Sequence, residues 1–221
     1  ADSFGIIVMP FVLANIQDTN WRNREAATVA FMYIIDAHPV ETIGGYTLKA
    51  FPILMNLASD TAHWMVRYSA IHCIGKICQL HMTILLPSQQ DGLLLVLLER
   101  LEDVPIVAAQ ASTALFHIAQ SLRSLYHDEL PPTSLLSQPL LPLLQGLLQA
   151  AERTDADEHN LRTGALTAAG DLVSVAPLDT QHVWLDLLPA VMGKLDAGLR
   201  NGSALHVTGL VDLLTSLVAR L

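Results

Sequence analysis

One helical pattern occurs four times in this chain, and that recurrence limits the fold more than any other feature of the sequence. Arg24, Arg67, Ala108 and Arg162 are matching positions, and three residues after each stands an alanine: Ala27, Ala70, Ala111 and Ala165. Ala30, Phe31 and Ile34 then align with Cys73, Ile74 and Ile77, with Ala114, Leu115 and Ile118, and with Ala168, Ala169 and Leu172. Steps of three and four keep these residues on one face of an α-helix, so each copy carries one narrow apolar stripe. An alanine at the crossing point lets a neighbouring helix approach closely, which suits helices stacked on near-identical partners.

The copies are separated by 43, 41 and 54 residues, and periods of about 40 to 47 mark HEAT or armadillo helical pairs. The fold class expected is therefore an all-α solenoid of about five HEAT-type hairpins forming a right-handed superhelical arc. A chain 52% hydrophobic and 15% charged raises the question of membranes, but its longest unbroken apolar runs, such as Val29 to Ile35 and Leu93 to Leu98, are seven and six residues. A bilayer needs about twenty. The start, ADSFGIIVMP, lacks the basic flank of a signal peptide, and no membrane insertion is expected. A net charge of −9 argues against direct nucleic-acid binding and favours basic partners. Cys73 and Cys78 fall in one helix near its buried stripe, which suits a reducing compartment rather than a disulfide framework.

In order, the hairpins are expected over about 3–37, 40–82, 88–126, 134–176 and 178–221, a single solenoid segment over 1–221. The first helix, Ser3 to Asp18, carries Phe4, Ile7, Val8, Phe11, Val12 and Ile16 on one face, with Pro10 expected to bend or split it. Asp18-Thr19-Asn20 caps the partner helix from Trp21, and His38-Pro39 ends it. Pro52 lies inside the next first helix, Asp60-Thr61 marks its turn, and Trp64 precedes Arg67 as Trp21 precedes Arg24. Leu86-Pro87-Ser88 closes that unit. Gln89 to Glu102, the turn Asp103-Val104-Pro105 and Ile106 to Tyr126 make the third. His127 to Ser137, with Asp128, Glu129, Pro131 and Pro132, reads as an exposed connector. The polar run Arg153 to Asn160 accounts for the longer third spacing and is expected to project into solvent. Both termini are apolar where a solenoid's end units normally show a polar outer face, so the chain is expected to be an internal piece of a longer array.

Asn20-Trp21-Arg22-Asn23-Arg24-Glu25-Ala26-Ala27, Val66-Arg67-Tyr68-Ser69-Ala70 with Gly75-Lys76-Ile77-Cys78, and His159-Asn160-Leu161-Arg162-Thr163 resemble the central HEAT repeats of importin-β, the karyopherin-β family of nuclear import receptors. The resemblance covers essentially the whole chain. It implies second helices lining a concave side and first helices a convex side, with importin-α or a basic cargo segment and the GTPase Ran held inside. Phe-Gly nucleoporins would take grooves between first helices. It implies a location in cytoplasm and nucleus and at the nuclear envelope and pore, with no enzyme activity and no cofactor. The alternatives are a HEAT scaffold for protein complexes of the phosphatase or vesicle-coat type, and another karyopherin-β importing cargo directly.

Counting places the candidate surface. Residues two beyond the buried stripe lie about 200° round the helix, which gives Val29 and Asp36, His72 and Gln79, Thr113 and Gln120, Thr167 and Ser174 as one column. The residues expected to bind protein are Glu25, Val29, Asp36, His72, Gln79, Thr113 and Gln120. In the family, positions resembling His72 and Thr113 carry tryptophans that stack on basic ligand residues, and those resembling Gln79 and Gln120 are typically acidic. This chain has neither.

Other constellations weigh less. Cys73 and Cys78 sit about 140° apart on a helix, so with His72 and His81 they make a poor zinc set. Asp155, Asp157 and Glu158 hint at a calcium loop, but the sixth position is Asn160 and the twelfth is Leu166, where glycine and glutamate belong. Arg24, Arg67 and Arg162 beside aspartate-bearing turns read as a ladder of ion pairs between units. Trp21 and Trp64 read as packed against first helices, or as walls of a Phe-Gly pocket. No nucleophile with a base, phosphate loop or carboxylate pair is present.

Overall fold

Helix α1 (Ser3–Asn15) turns into α2 (Trp21–Ala37) through the capping residues expected of it. The Asn20 side chain accepts from the Arg22 N–H at 3.1 Å, and Asp18 accepts from the Asn20 N–H at 2.8 Å and the Asn23 amide at 2.9 Å. The first satisfies a donor that a helix start leaves open, and the other two hold the turn that leads into it. The computed structural model describes residues 3–86, 92–127, 129–201 and 204–221, and side chains from residue 7 onward except those of 201 and 205. Pro87, Ser88, the start of the third hairpin at Gln89, Asp128 and the Phe4 side chain lie outside the described residues.

The remaining helices are α3 (Val40–Leu57), α4 (Trp64–Leu85), α5 (Leu93–Arg100), α6 (Pro105–Tyr126), α7 (Leu140–Glu152), α8 (Leu161–Ser174), α9 (His182–Asn201) and α10 (Ala204–Val218). Among the described residues there is no strand. The chain forms two compact units, residues 1–97 and 98–221. Within the first, α2 packs on α1 and α4, and α4 packs on α3; within the second, α8 packs on α6, α7 and α10, and α10 on α9. Within each unit, then, second helices stack on one another, and α2, α4, α8 and α10 each back onto their own first helix.

The repeated stripe makes the core. Ala27, Ala70, Ala111 and Ala165 are fully buried, as are the apolar residues aligned after them, except that Ala30 is half-exposed and Ile34 is marginally accessible. Small residues set the helix spacing: a Cβ on Gly209 of α10 would stand 2.7 Å from the Leu166 side chain of α8. Burying an apolar side chain of Leu or Ile size contributes about 1.5–3 kcal/mol, so this stripe is the main source of stability.

The structure differs from the sequence expectations at five places. Pro10 and Pro52 lie inside continuous helices, so neither splits its helix. The apolar face of α1 is only partly used: Val12 and Ile16 are buried, whereas Ile7 is 73% exposed and Phe11 is also exposed. The connector after α6 is not a free loop, because Leu136 is buried and the carbonyls of Pro131 and Pro132 accept from the Leu178 and Asp179 N–H groups at 3.0 and 3.2 Å. The polar run 153–160 is tied down at both ends: Ala156 is buried and its carbonyl accepts the Arg162 N–H at 2.7 Å, leaving Asp157 to Asn160 exposed. Finally, α4 kinks at His81 (φ −132°, ψ 21°), a buried imidazole whose ring nitrogens have no hydrogen-bond partner.

Candidate functional site

The arginines at the starts of second helices are structural. In the first unit, Arg24 donates to the Asp18 and Thr19 carbonyls at 2.8 and 3.0 Å and pairs with Asp60 at 2.5 Å, while Arg67 donates to the Asp60 carbonyl at 2.9 Å. One turn is thereby fastened to the next. In the second unit Arg162 pairs with Asp157 at 2.9 Å and donates to the Ala151 carbonyl. The link back to the preceding turn is made by Arg153, on the carbonyls of Leu101 and Asp103 at 3.0 and 2.7 Å. Sequence reading missed Arg153 because the aligned positions did not include it.

Trp21 is half-buried in a stack of its own. His63 stacks on one face, with centroids 3.7 Å apart and planes 2° from parallel, and the Arg22 guanidinium lies over the ring at 4.7 Å. Trp64 adjoins the stack through His63 at 5.9 Å. His63 also caps α4, its Nδ1 accepting the Met65 N–H at 3.2 Å.

Every candidate column residue lies on the solvent side of its helix and none is sunk in the core. Asp36 and Gln79 are exposed; Glu25, Val29, His72, Thr113 and Gln120 are half-buried. In the first unit α2 supplies Glu25, Val29 and Asp36, and α4 supplies His72 and Gln79. Lys76 projects between them and pairs with Asp36 at 3.0 Å. Burial, then the Lys76 charge, holds the His72 imidazole below its ordinary pKa against the opposing pull of Asp36. The Tyr68 ring meets His72 edge-on at 5.9 Å.

In the second unit the Thr113 hydroxyl is turned back onto the Ala109 carbonyl at 3.0 Å. Gln120 is not free either: its amide donates to Asp171 of α8 at 3.0 Å, and Arg123, one turn on, pairs with the same carboxylate oxygen at 2.7 Å and donates to the Ser174 hydroxyl. Thr167 is exposed beside this network. A groove of about 240 Å³ runs there between α8 and α10, bordered by Arg123, Asp171, Ser174, Asp212 and Ser216. On the first-helix side, a larger groove of about 520 Å³ is lined by Leu98, Leu101, Glu102, Pro142, Gln145 and Gly146.

Cys73 and Cys78 form no disulfide and are fully buried, and burial pushes both thiols up, Cys78 to about 12. Among the described residues no group of three or more His, Cys, Asp or Glu side chains is placed to hold a metal ion, and no helix is long and apolar enough to cross a membrane. The exposed faces of the second helices offer hydrogen-bonding and ionic contacts to another chain.

Comparison with known proteins gives these faces a context. The family model for importin subunit beta-1-like TPR repeats matches residues 92–208, and that for HEAT repeats matches residues 50–81. Importin subunit beta-1 of Saccharomyces cerevisiae is 32% identical over 190 residues, which is 85% of this chain and 21% of that protein. The solved Kap95:Nup1 complex matches with a TM-score of 0.82 at 26% identity, covering 96% of this chain and 25% of the solved one. A structure of Kap95p, whose binding induces the switch loops of RanGDP to adopt the GTP-bound conformation, matches with a TM-score of 0.77 at 28% identity, over 96% and 24%. The fold is thus an all-α solenoid of helical hairpins, and the chain spans about a fifth to a quarter of the length of these relatives.

Proposed function

We propose a function for this chain from one premise: it belongs to the importin subunit beta-1-like family. It is a segment of a nuclear transport receptor that shuttles between cytoplasm and nucleus through the pore, and it binds other proteins rather than catalysing a reaction. Its second-helix faces hold a basic segment of importin-α or of cargo. The first-helix groove floored by Leu98, Leu101 and Pro142 takes a phenylalanine of a Phe-Gly nucleoporin, and Ran engages the same receptor. The observation that carries the reading is the open second-helix face of the second unit, which presents Asp171, inside the family match, and Asp212, just past its end, beside a groove. The solved relatives with Nup1 and RanGDP support nucleoporin and Ran as partners.

Titration calorimetry of the chain with the basic segment of importin-α tests this. Attraction that is largely ionic falls steeply as salt rises, because screening shortens to about 8 Å at physiological ionic strength. Placing tryptophan at His72 or Thr113 should strengthen binding through cation–π contact. An absence of binding at low salt would exclude this partner. Unchanged affinity in both tryptophan variants would remove the column Glu25, Val29, Asp36, His72, Gln79, Thr113 and Gln120 from the binding surface.

A further inference from the structure

The groove between α8 and α10 already holds a cation of the protein's own. Arg123 reaches from α6 to Asp171 of α8 at 2.7 Å and also donates to Ser174. Gln120 supplies a second donor to the same carboxylate oxygen at 3.0 Å. Across the groove stands Asp212, whose carboxylate has no hydrogen bond or ion pair among the described residues, so the groove carries two carboxylates against one guanidinium. The Asp171 side chain is 17% exposed and that of Arg123 is 34% exposed. The pair is therefore open enough to exchange partners, and one guanidinium on a carboxylate has the same chemistry as another.

We propose that Arg123 is an internal competitor: it occupies, on Asp171 and Ser174, the place that an arginine or lysine of a basic partner would take, and so sets how tightly the second unit holds such a segment. The inference rests on the proposed binding of a basic partner and adds the residue that limits it. A partner's cation entering the groove finds Asp212 unpaired but must displace Arg123 from Asp171 or sit beside it against like-charge repulsion. Removing Arg123 frees the carboxylate and lowers the positive charge together.

Fluorescence anisotropy with a labelled oligo-arginine peptide and the full 221-residue chain tests this at low salt. Arg123→Met keeps the aliphatic stem and should tighten binding by about 1.5- to fivefold, the range expected when a partly exposed pair is freed. The gain should shrink at higher salt. Ser174→Ala, which loosens Arg123 without touching a charge, should give a smaller gain in the same direction. Adding Asp171→Asn to Arg123→Met should abolish the gain. So should adding Gly170→Met, which fills the groove: a Cβ on Gly170 meets nothing nearer than the Ser216 hydroxyl at 3.7 Å. If wild-type chain binds the peptide and neither Arg123→Met nor Ser174→Ala tightens it, Arg123 is no competitor, and the proposed function stands without it. If no variant binds the peptide, both readings fall.

Discussion

Replacing Asp60 by alanine removes several acceptor roles at once. Its Oδ1 accepts the Ala62 and His63 N–H groups at 2.8 and 3.0 Å, and its Oδ2 holds Arg24 at 2.5 Å. The two side chains are only 10% and 12% exposed. Losing a cap-type acceptor costs about 1 kcal/mol. Removing one partner of a buried ion pair costs about 3–5 kcal/mol, but Arg24 keeps the carbonyls of Asp18 and Thr19, which brings this part to about 2 kcal/mol. The expected loss in the first unit is therefore about 3 kcal/mol, or about 1–3 M in urea midpoint for m near 1–3 kcal/mol/M. Trp21 and Trp64 lie in that unit and Trp184 in the other, so fluorescence in a Trp184→Phe background reads the unit directly. A double-mutant cycle with Arg24→Met should give a coupling of about 1–2 kcal/mol. A loss below about 1 kcal/mol, or a coupling near zero, would refute the staple.

The same carboxylate fixes a pH dependence. Burial raises the Asp60 pKa, but the His63 N–H, Arg24 and the Ala62 N–H outweigh it and leave it below the ordinary 3.8. A carboxyl whose folded pKa is depressed adds stability that is fully present above the unfolded value and lost as pH falls through the folded one. The first unit should hold its urea midpoint from neutrality to about pH 5 and lose it below 3.8, with Asp60→Ala flattening that acid limb.

Three further outcomes are expected. Cys73 and Cys78, fully buried with thiols pushed up, should not react with a thiol reagent at pH 8 until urea unfolds the first unit; prompt labelling in the native state would contradict the packing. Gly209→Ala should destabilise the second unit by about 1–3 kcal/mol, since its Cβ would stand 2.7 Å from Leu166, whereas Gly170→Ala in a similar helix should stabilise it by about 0.5–1 kcal/mol; thermal melts by circular dichroism separate the two. Arg153→Ala should cost about 1–3 kcal/mol through the unpaired carbonyls of Leu101 and Asp103, and a neutral result would mean that another donor takes its place.

The elements that local chemistry decides were legible in the sequence. Ala27, Ala70, Ala111 and Ala165 announced the buried stripe because helical spacing and residue size are both properties of a short segment. Asp18-Thr19-Asn20 announced its cap for the same reason. The links between hairpins were not legible. Arg153 reaches Leu101 and Asp103, and Arg123 and Gln120 reach Asp171, across about fifty residues of sequence. Which long side chain meets which turn depends on how one hairpin settles on the next, and no local pattern encodes that. His63 escaped notice likewise: its ring fills the space against Trp21 only once two successive turns are adjacent.

The candidate surface shows the same division between what residues are and what they are bound to. Counting round the helix correctly found which side of α2, α4, α6 and α8 faces solvent, because that follows from the stripe alone. Net charge was a poorer guide to what that side attracts. A formal −9 suggests a face open to basic partners, yet Asp36 is paired with Lys76 and Asp171 with Arg123. An exposed pair presents a dipole where a lone carboxylate presents a charge, and its field dies away faster with distance. Steering of a basic segment therefore depends on carboxylates that have no ion pair among the described residues, such as Asp212 in the second unit. On this reasoning Asp212→Asn should slow association with an oligo-arginine peptide more than the paired change Asp36→Asn with Lys76→Met does, since the paired change removes both ends of a dipole and leaves the net charge as it was. Stopped-flow association rates at two salt concentrations decide it, and equal slowing by Asp212→Asn and by removal of the Asp36–Lys76 pair would show that a paired carboxylate steers as well as Asp212 does.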